Sequence, residues 1–229
     1  MIEVPEFNEQ NMYDAETHFN LLMSEDRLGK FVAHWEALTM TSKVPGHIVE
    51  CGVFKGTSFV RLALMRELLG GSASARLVGF DVFDDDFPTT IHEQDLQQRE
   101  HWIATAGGSS ISVQQLRGIM EIKGLGNFEL VPGDATKTIP KWAAENQGAR
   151  ISLLNIDIDF YEPTFAALEC LWPRMSRGGI VLLDNYGGHG TSGLSYWGDT
   201  SAVDDFFKEV DVRIQRFPFV ARPAYVIKL

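Results

Sequence analysis

Residues 151–186 read ISLLNIDIDFYEPTFAALECLWPRMSRGGIVLLDNY, a strand, a helix and a second strand. Ile151–Ile156 is a short, mostly apolar run without polar alternation, as in a strand buried on both faces of a parallel sheet. Pro163 suits the first turn of the following helix, where a missing N–H costs nothing. Gly178 and Gly179 then turn the chain into a second apolar strand at residues 180–183. Strand, helix and parallel strand form a right-handed crossover, so both strands end on one edge of the sheet, where open α/β sheets bind ligands. Asp157 and Asp159 leave the first strand there, and Asp184 and Asn185 leave the second.

An acid at the end of one strand more often caps a helix or stays solvated. Oxygens from Asp157, Asp184 and Asn185 at adjacent strand ends point instead to one hard cation. Mg²⁺ prefers such carboxylate and carbonyl ligands and keeps positions open for water or substrate.

The 229 residues suit one α/β domain, with residues 1–42 as an N-terminal arm and helix. A balance of 20 basic against 31 acidic residues, net −11, disfavours DNA, tRNA and other polyanions. The opening MIEVPEFNEQNMYDAE fits neither a signal nor a transit peptide, and no apolar run approaches a membrane span. Cys51 and Cys170 sit in apolar segments and read as buried thiols of a reducing cytoplasm.

Before the central stretch, residues 1–26 are uninformative and read as an arm or lid. Residues 27–41 carry a helical stripe of Leu28, Phe31, Val32, Trp35 and Leu38. Strands are expected at residues 47–51, 76–80 and 128–131, with helices from Thr57 to about Leu69, at residues 111–122, and at residues 136–146 around Pro140. After the stretch, residues 187–198 form a glycine-rich loop carrying His189, Tyr196 and Trp197. A helix near residues 201–210 follows, then an antiparallel pair at residues 212–219 and 224–229. Such alternation predicts a doubly wound, mostly parallel sheet covered on both faces.

The turn from Gly52 to Gly56 follows the first strand, where a doubly wound fold holds a nucleotide-like cofactor. It lacks the third glycine of a dinucleotide fingerprint, and Thr57 stands where a phosphate loop needs Lys. Glu50 beside it suits an amine or sulfonium better than a pyrophosphate. Asp81, ending the next strand, is placed to accept hydrogen bonds from two ribose hydroxyls. Together Glu50, Gly52, Gly56 and Asp81 describe an adenosine site with a cationic tail.

Glu50-Cys-Gly52-Val-Phe-Lys-Gly56-Thr57-Ser58, Asp81-Val-Phe-Asp84, Asp157-Ile-Asp159-Phe-Tyr161-Glu162-Pro-Thr164 and Asp184-Asn185-Tyr186-Gly187 resemble the macrocin O-methyltransferases. The resemblance runs from about Arg27 to Phe207 and implies a seven-stranded class I methyltransferase sheet with one antiparallel strand. It also implies S-adenosylmethionine and Mg²⁺ as cofactors, a small-molecule hydroxyl acceptor, often on a sugar, and a metal held by Asp157, Asp184 and Asn185. Glu50, Gly52, Gly56, Thr57, Ser58 and Asp81 would line the cofactor, with Gly133, Asp134 and Ala135 near its adenine. Two departures stand out: Asp157-Ile158-Asp159 replaces the usual Asp-Gly-Asp, and Asp184-Asn185 the usual Asp-Asp. The latter looks like the catechol-type methyltransferases.

Methyl transfer from a sulfonium needs an aligned and deprotonated oxygen. Mg²⁺ would lower the hydroxyl pKa, and Asp157 or His189 would serve as base. Trp197 is the aromatic expected to meet the acceptor. A nicotinamide oxidoreductase and a non-catalytic cofactor-binding module are the competing classes, and assembly as a dimer is left open.

Overall fold

The computed structural model describes residues 1–71, 74–83, 90–188 and 196–229, and only the backbone of Trp102. Among the described residues, two N-terminal helices, α1 (Glu9–Leu22) and α2 (Glu25–Thr41), precede the first strand, β1 (His47–Cys51). Then come α3 (Thr57–Leu68), β2 (Leu77–Asp81), α4 (Glu93–Ala106), α5 (Val113–Ile122), β3 (Phe128–Pro132) and α6 (Ala135–Glu145). The central stretch supplies β4 (Ile151–Ile156), α7 (Tyr161–Leu171) and β5 (Met175–Leu183), followed by α8 (Trp197–Phe207), β6 (Gln215–Arg216) and β7 (Ala224–Ile227). The strands form one seven-stranded sheet in the order β3-β2-β1-β4-β5-β7-β6. Pairing is parallel from β3 to β5, and β7 runs antiparallel to both β5 and β6.

Apolar neighbours along each strand pack on opposite faces, which is why the strands read as unbroken apolar runs. Val49, Leu154 and Val181 meet Ile139, Leu168 and Phe207 on the face of α6, α7 and α8. Ile48, Leu153 and Leu182 meet Ala37, Leu62 and Leu116 on the face of α2, α3 and α5. Both faces are therefore covered, as the alternation of elements required.

Within the segment read as an arm or lid, residues 9–22 form a helix, which Asn8 caps by accepting from the Asn11 N–H at 2.9 Å. Three expectations change. α2 buries a face that shares Leu38 alone with the stripe read in sequence: Gly29, Ala33, His34, Ala37, Leu38 and Thr41 face inward. Leu28, Phe31, Val32 and Trp35 are exposed. β5 begins at Met175, not residue 180, because its pairing with β4 skips residues: Ile151 faces Met175 but Leu153 faces Ile180. Of the two free thiols, Cys51 is buried and Cys170 only half-buried. No helix among the described residues is long and apolar enough to cross a membrane.

The tightest approach in the sheet joins the ends of β1 and β4. Gly52 has φ +93°, and a Cβ there would lie 1.9 Å from the Asp157 carbonyl oxygen. Gly52→Ala is therefore expected to destabilise the fold by about 2–6 kcal/mol, left-handed strain and overpacking each contributing about 1–3 kcal/mol. Urea denaturation of the two proteins checks it.

Candidate active site

Strand register builds the site. Cys51 stands opposite both Phe80 and Ile156, and Ile156 stands opposite Leu183. Gly52, Asp81, Asp157 and Asp184 therefore reach the C-terminal edge in one row across four neighbouring strands. They line a cavity of about 710 Å³, within the size range of small-molecule sites.

On one side lies the glycine turn. Gly56 (φ +79°) leads into α3 without a side-chain cap, so Thr57 and Ser58 bring a helix N-terminus to the cavity. Asp81 fixes the turn: its Oδ2 accepts from the Val53 and Phe54 N–H groups at 2.7 and 2.8 Å, and its Oδ1 from the Phe83 N–H at 3.0 Å. A carboxylate has about four acceptor sites, so Asp81 keeps about one for a ribose hydroxyl rather than two.

On the other side lies the acid cluster, which is bound to cations of the chain itself. The Lys30 ammonium donates to Asp157 Oδ2 and to Asp184 Oδ2, each at 2.8 Å. Arg222 Nη1 donates to Asn185 Oδ1 at 2.7 Å, and the Asn185 amide donates to Asp159 Oδ1. The Asn185 N–H donates to Asp199 Oδ2 at 3.2 Å. Burial alone would lower the Lys30 pKa, but the charges of Asp157 and Asp184 raise it above its ordinary value. Asp157 is pushed up by burial, yet Lys30 outweighs this and holds it low, so it stays ionised. Burial and the Asp157 charge push Asp184 up to about 7, and burial and the Asp184 charge push Asp199 up to about 8. Asp159, pressed by burial and by Asp157, is also raised.

Gly52, Thr57, Ser58, Asp81, Gly133 and Ala135 line the cavity as the sequence suggested, and so do Asp157, Asp184 and Asn185. Three expected cofactor residues do not. Glu50 is fully buried and accepts from Asn155 Nδ2 at 2.9 Å. Gly56 packs its α-carbon towards Leu116 and Ile111. Asp134 caps α6, accepting from the Thr136 N–H at 3.0 Å and hydroxyl at 2.7 Å. His189 lies outside the described residues. Trp197 does not line the cavity: it stacks on Tyr161 with centroids 5.9 Å apart, whereas Tyr196 lines it.

A model of the macrocin O-methyltransferases (TylF) matches residues 10–213. The chain belongs to that family. A 4′-O-methyltransferase of a rhamnosyl tetracenomycin from Streptomyces olivaceus is 32% identical over 151 residues, covering 62% of this chain and 54% of the relative. Demethyldecarbamoylnovobiocin O-methyltransferase from Streptomyces niveus is 22% identical over 168 residues, covering 63% and 54%. The chain thus spans about half the length of the curated relatives it matches. Its fold is that of a calicheamicin methyltransferase (TM-score 0.73, 22% identity, 96% of this chain and 87% of that one). It is also that of the O-methyltransferase NovP (TM-score 0.69, 19% identity, 89% and 79%).

The methyl donor of this family fits what is present: a turn whose Gly52 lines the cavity, an uncapped helix N-terminus and Asp81 at the cavity. The expected Mg²⁺ does not. Asp157 and Asp184 already share the Lys30 ammonium, and the Asn185 carbonyl oxygen is engaged by Arg222. Sequence reading missed both cations. Lys30 repeats at helical spacing with Ala33, His34 and Ala37, which would have placed it on the buried side of α2 had the small residues been read as the stripe. Nothing local marks Arg222.

Glu50 sets a pH dependence. Burial foremost, with Asp157 adding to it against the Ser58 hydroxyl, raises its pKa from 4.5 to about 8. The folded chain thus keeps a proton that the unfolded chain releases near 4.5, so this stability is full below that pH and is lost as pH rises towards 8. Unfolding free energy should fall between pH 5 and pH 8, and Glu50→Gln should remove roughly 1–3 kcal/mol of that fall. Denaturation at the two pH values measures it.

Proposed function

We propose that the chain transfers a methyl group from S-adenosylmethionine to a hydroxyl of a small glycosylated molecule. The observation that carries this reading is the row Gly52, Asp81, Asp157 and Asp184, which sets a glycine cradle and an acid cluster against one cavity. Family membership supports the reaction class. The acceptor class is supported by relatives named for a rhamnosyl tetracenomycin and for demethyldecarbamoylnovobiocin. A net charge of −11 argues against a polyanionic acceptor.

S-adenosylmethionine, when bound, supplies an activated sulfonium methyl. The chain's own work is to hold an acceptor oxygen in line with that methyl and to take its proton. Asp157 is the proton acceptor in this reading: it lines the cavity and stays ionised beside Lys30. Asp81 orders the turn beneath the donor through the Val53 and Phe54 N–H groups it binds. His18, Phe19 and Leu22 of α1 stand at the same cavity.

Calorimetry tests the cofactor. S-adenosylhomocysteine should bind and NADH should not. Asp81→Ala should weaken binding by roughly ten- to a hundredfold, about 1.5–3 kcal/mol, through loss of a charged hydrogen-bond acceptor. Saturable NADH binding without S-adenosylhomocysteine binding would move the chain to the oxidoreductases. Methyl transfer assayed on glycosides, catechols and tRNA tests the acceptor. Turnover on glycosides is expected, turnover on catechols alone would favour the catechol-type reading, and turnover on tRNA alone would overturn both.

A further inference from the structure

The oxygens expected to hold Mg²⁺ face nitrogens of the chain. Lys30 Nζ is 2.8 Å from Asp157 Oδ2 and 2.8 Å from Asp184 Oδ2, with its side chain only 17% exposed. Arg222 Nη1 lies 2.7 Å from Asn185 Oδ1, and its Nη2 is anchored 3.1 Å from Asp26 Oδ2. Mg²⁺ needs oxygens at 2.0–2.1 Å in near-octahedral array. An ammonium between two carboxylate oxygens fills the space such an ion would need and supplies the charge that draws it there. Of its three N–H groups, Lys30 gives one to each acid, which leaves one for an acceptor oxygen in the cavity that it lines.

We infer that Lys30 takes the place of the divalent cation: the chain holds no metal between Asp157 and Asp184, and the ammonium itself engages the acceptor hydroxyl. The acceptor half of this rests on the methyl-transfer reading; the cation half does not. Asn185 fits it, since with a monovalent cation in place a third carboxylate would be surplus charge.

Mn²⁺, a spectroscopic substitute for Mg²⁺ in oxygen sites, reads the cation half directly. Electron paramagnetic resonance titration of the full chain should show no saturable binding by the wild type. Lys30→Met, with the same circular dichroism spectrum, should bind Mn²⁺ at least about tenfold more tightly, because two buried carboxylates lose the cation they share. Lys30→Arg keeps the charge and should bind as weakly as wild type. Wild-type binding as tight as that of Lys30→Met overturns the inference, as does saturable wild-type binding alone should Lys30→Met fail to fold. With an acceptor in hand, chelator should leave wild-type turnover within about twofold. Lys30→Met should lower turnover by about a hundredfold, the scale for removing one transition-state hydrogen-bond donor, with S-adenosylhomocysteine affinity unchanged. Turnover abolished by chelator and restored by Mg²⁺ overturns it. Failure of S-adenosylhomocysteine to bind would count against the methyl-transfer reading alone, since the Mn²⁺ titration decides Lys30 without it.

Discussion

Parallel pairing of β4 with β5, with Ile156 opposite Leu183, makes Asp157 and Asp184 leave the sheet side by side. Two carboxylates so close and so buried cannot both stay ionised without a cation between them. Much of the surrounding architecture follows from that demand. α2 lies over this edge with Gly29, Ala33 and Ala37 inward, small residues that let its backbone come close. At Gly29 a Cβ would come within 2.5 Å of the Val220 side chain, so the helix also closes on the segment that carries Arg222. Asp26 of α2 and Arg222 are joined at 3.1 Å. Lys30 and Arg222, the cations bonded to Asp157, Asp184 and Asn185, are thus delivered by elements fastened to each other, one near each end of the sequence.

The cofactor side is held by a different device. Gly52 and Gly56 give the chain two left-handed turns within five residues, at φ +93° and +79°, and Asp81 collects the N–H groups that this turn leaves unpaired. An acid at this strand end therefore serves the protein before it serves a ligand. Its carboxylate is ordered whether or not a ribose is present, which lowers the entropy lost on binding. Glu50 stands one strand pair away but inside the sheet, bonded to Asn155 across the β1–β4 ladder, so its charge is suppressed rather than offered.

Backbone-dominated features were legible in the sequence. Apolar runs without alternation gave the parallel strands, and glycine and acid at strand ends gave the edge on which the site lies. Side-chain direction was not legible in the same way. The stripe Leu28, Phe31, Val32 and Trp35 has helical spacing, but hydrophobicity alone chose the exposed face of α2, because the buried face carries small residues that allow close packing. Glu50 is two residues and Asp134 one residue away from cavity-lining positions, yet one turns into the sheet and the other caps α6. Trp197 sits at the first turn of a helix whose neighbours Tyr161 and His92 claim its ring. Long-range pairs such as Lys30 with Asp157, 127 residues apart, have no local signature at all.

The departure Asp184-Asn185 then acquires a physical reason. Asn185 does two things at once: its carbonyl oxygen accepts from Arg222 and its amide nitrogen donates to Asp159. A carboxylate has acceptors only, so Asp at this position would satisfy Arg222 but set a third negative charge against Asp159, already crowded by Asp157, Asp199 and Asp184. The amide lets Asp159 remain in the cluster with a partner and lets Arg222 stay without adding charge for a cation to offset. Lys30 meets Asp157 and Asp184, and its single charge keeps Asp157 ionised. The substitution at residue 185 and the lysine at residue 30 therefore describe one electrostatic arrangement, read from two places in the chain.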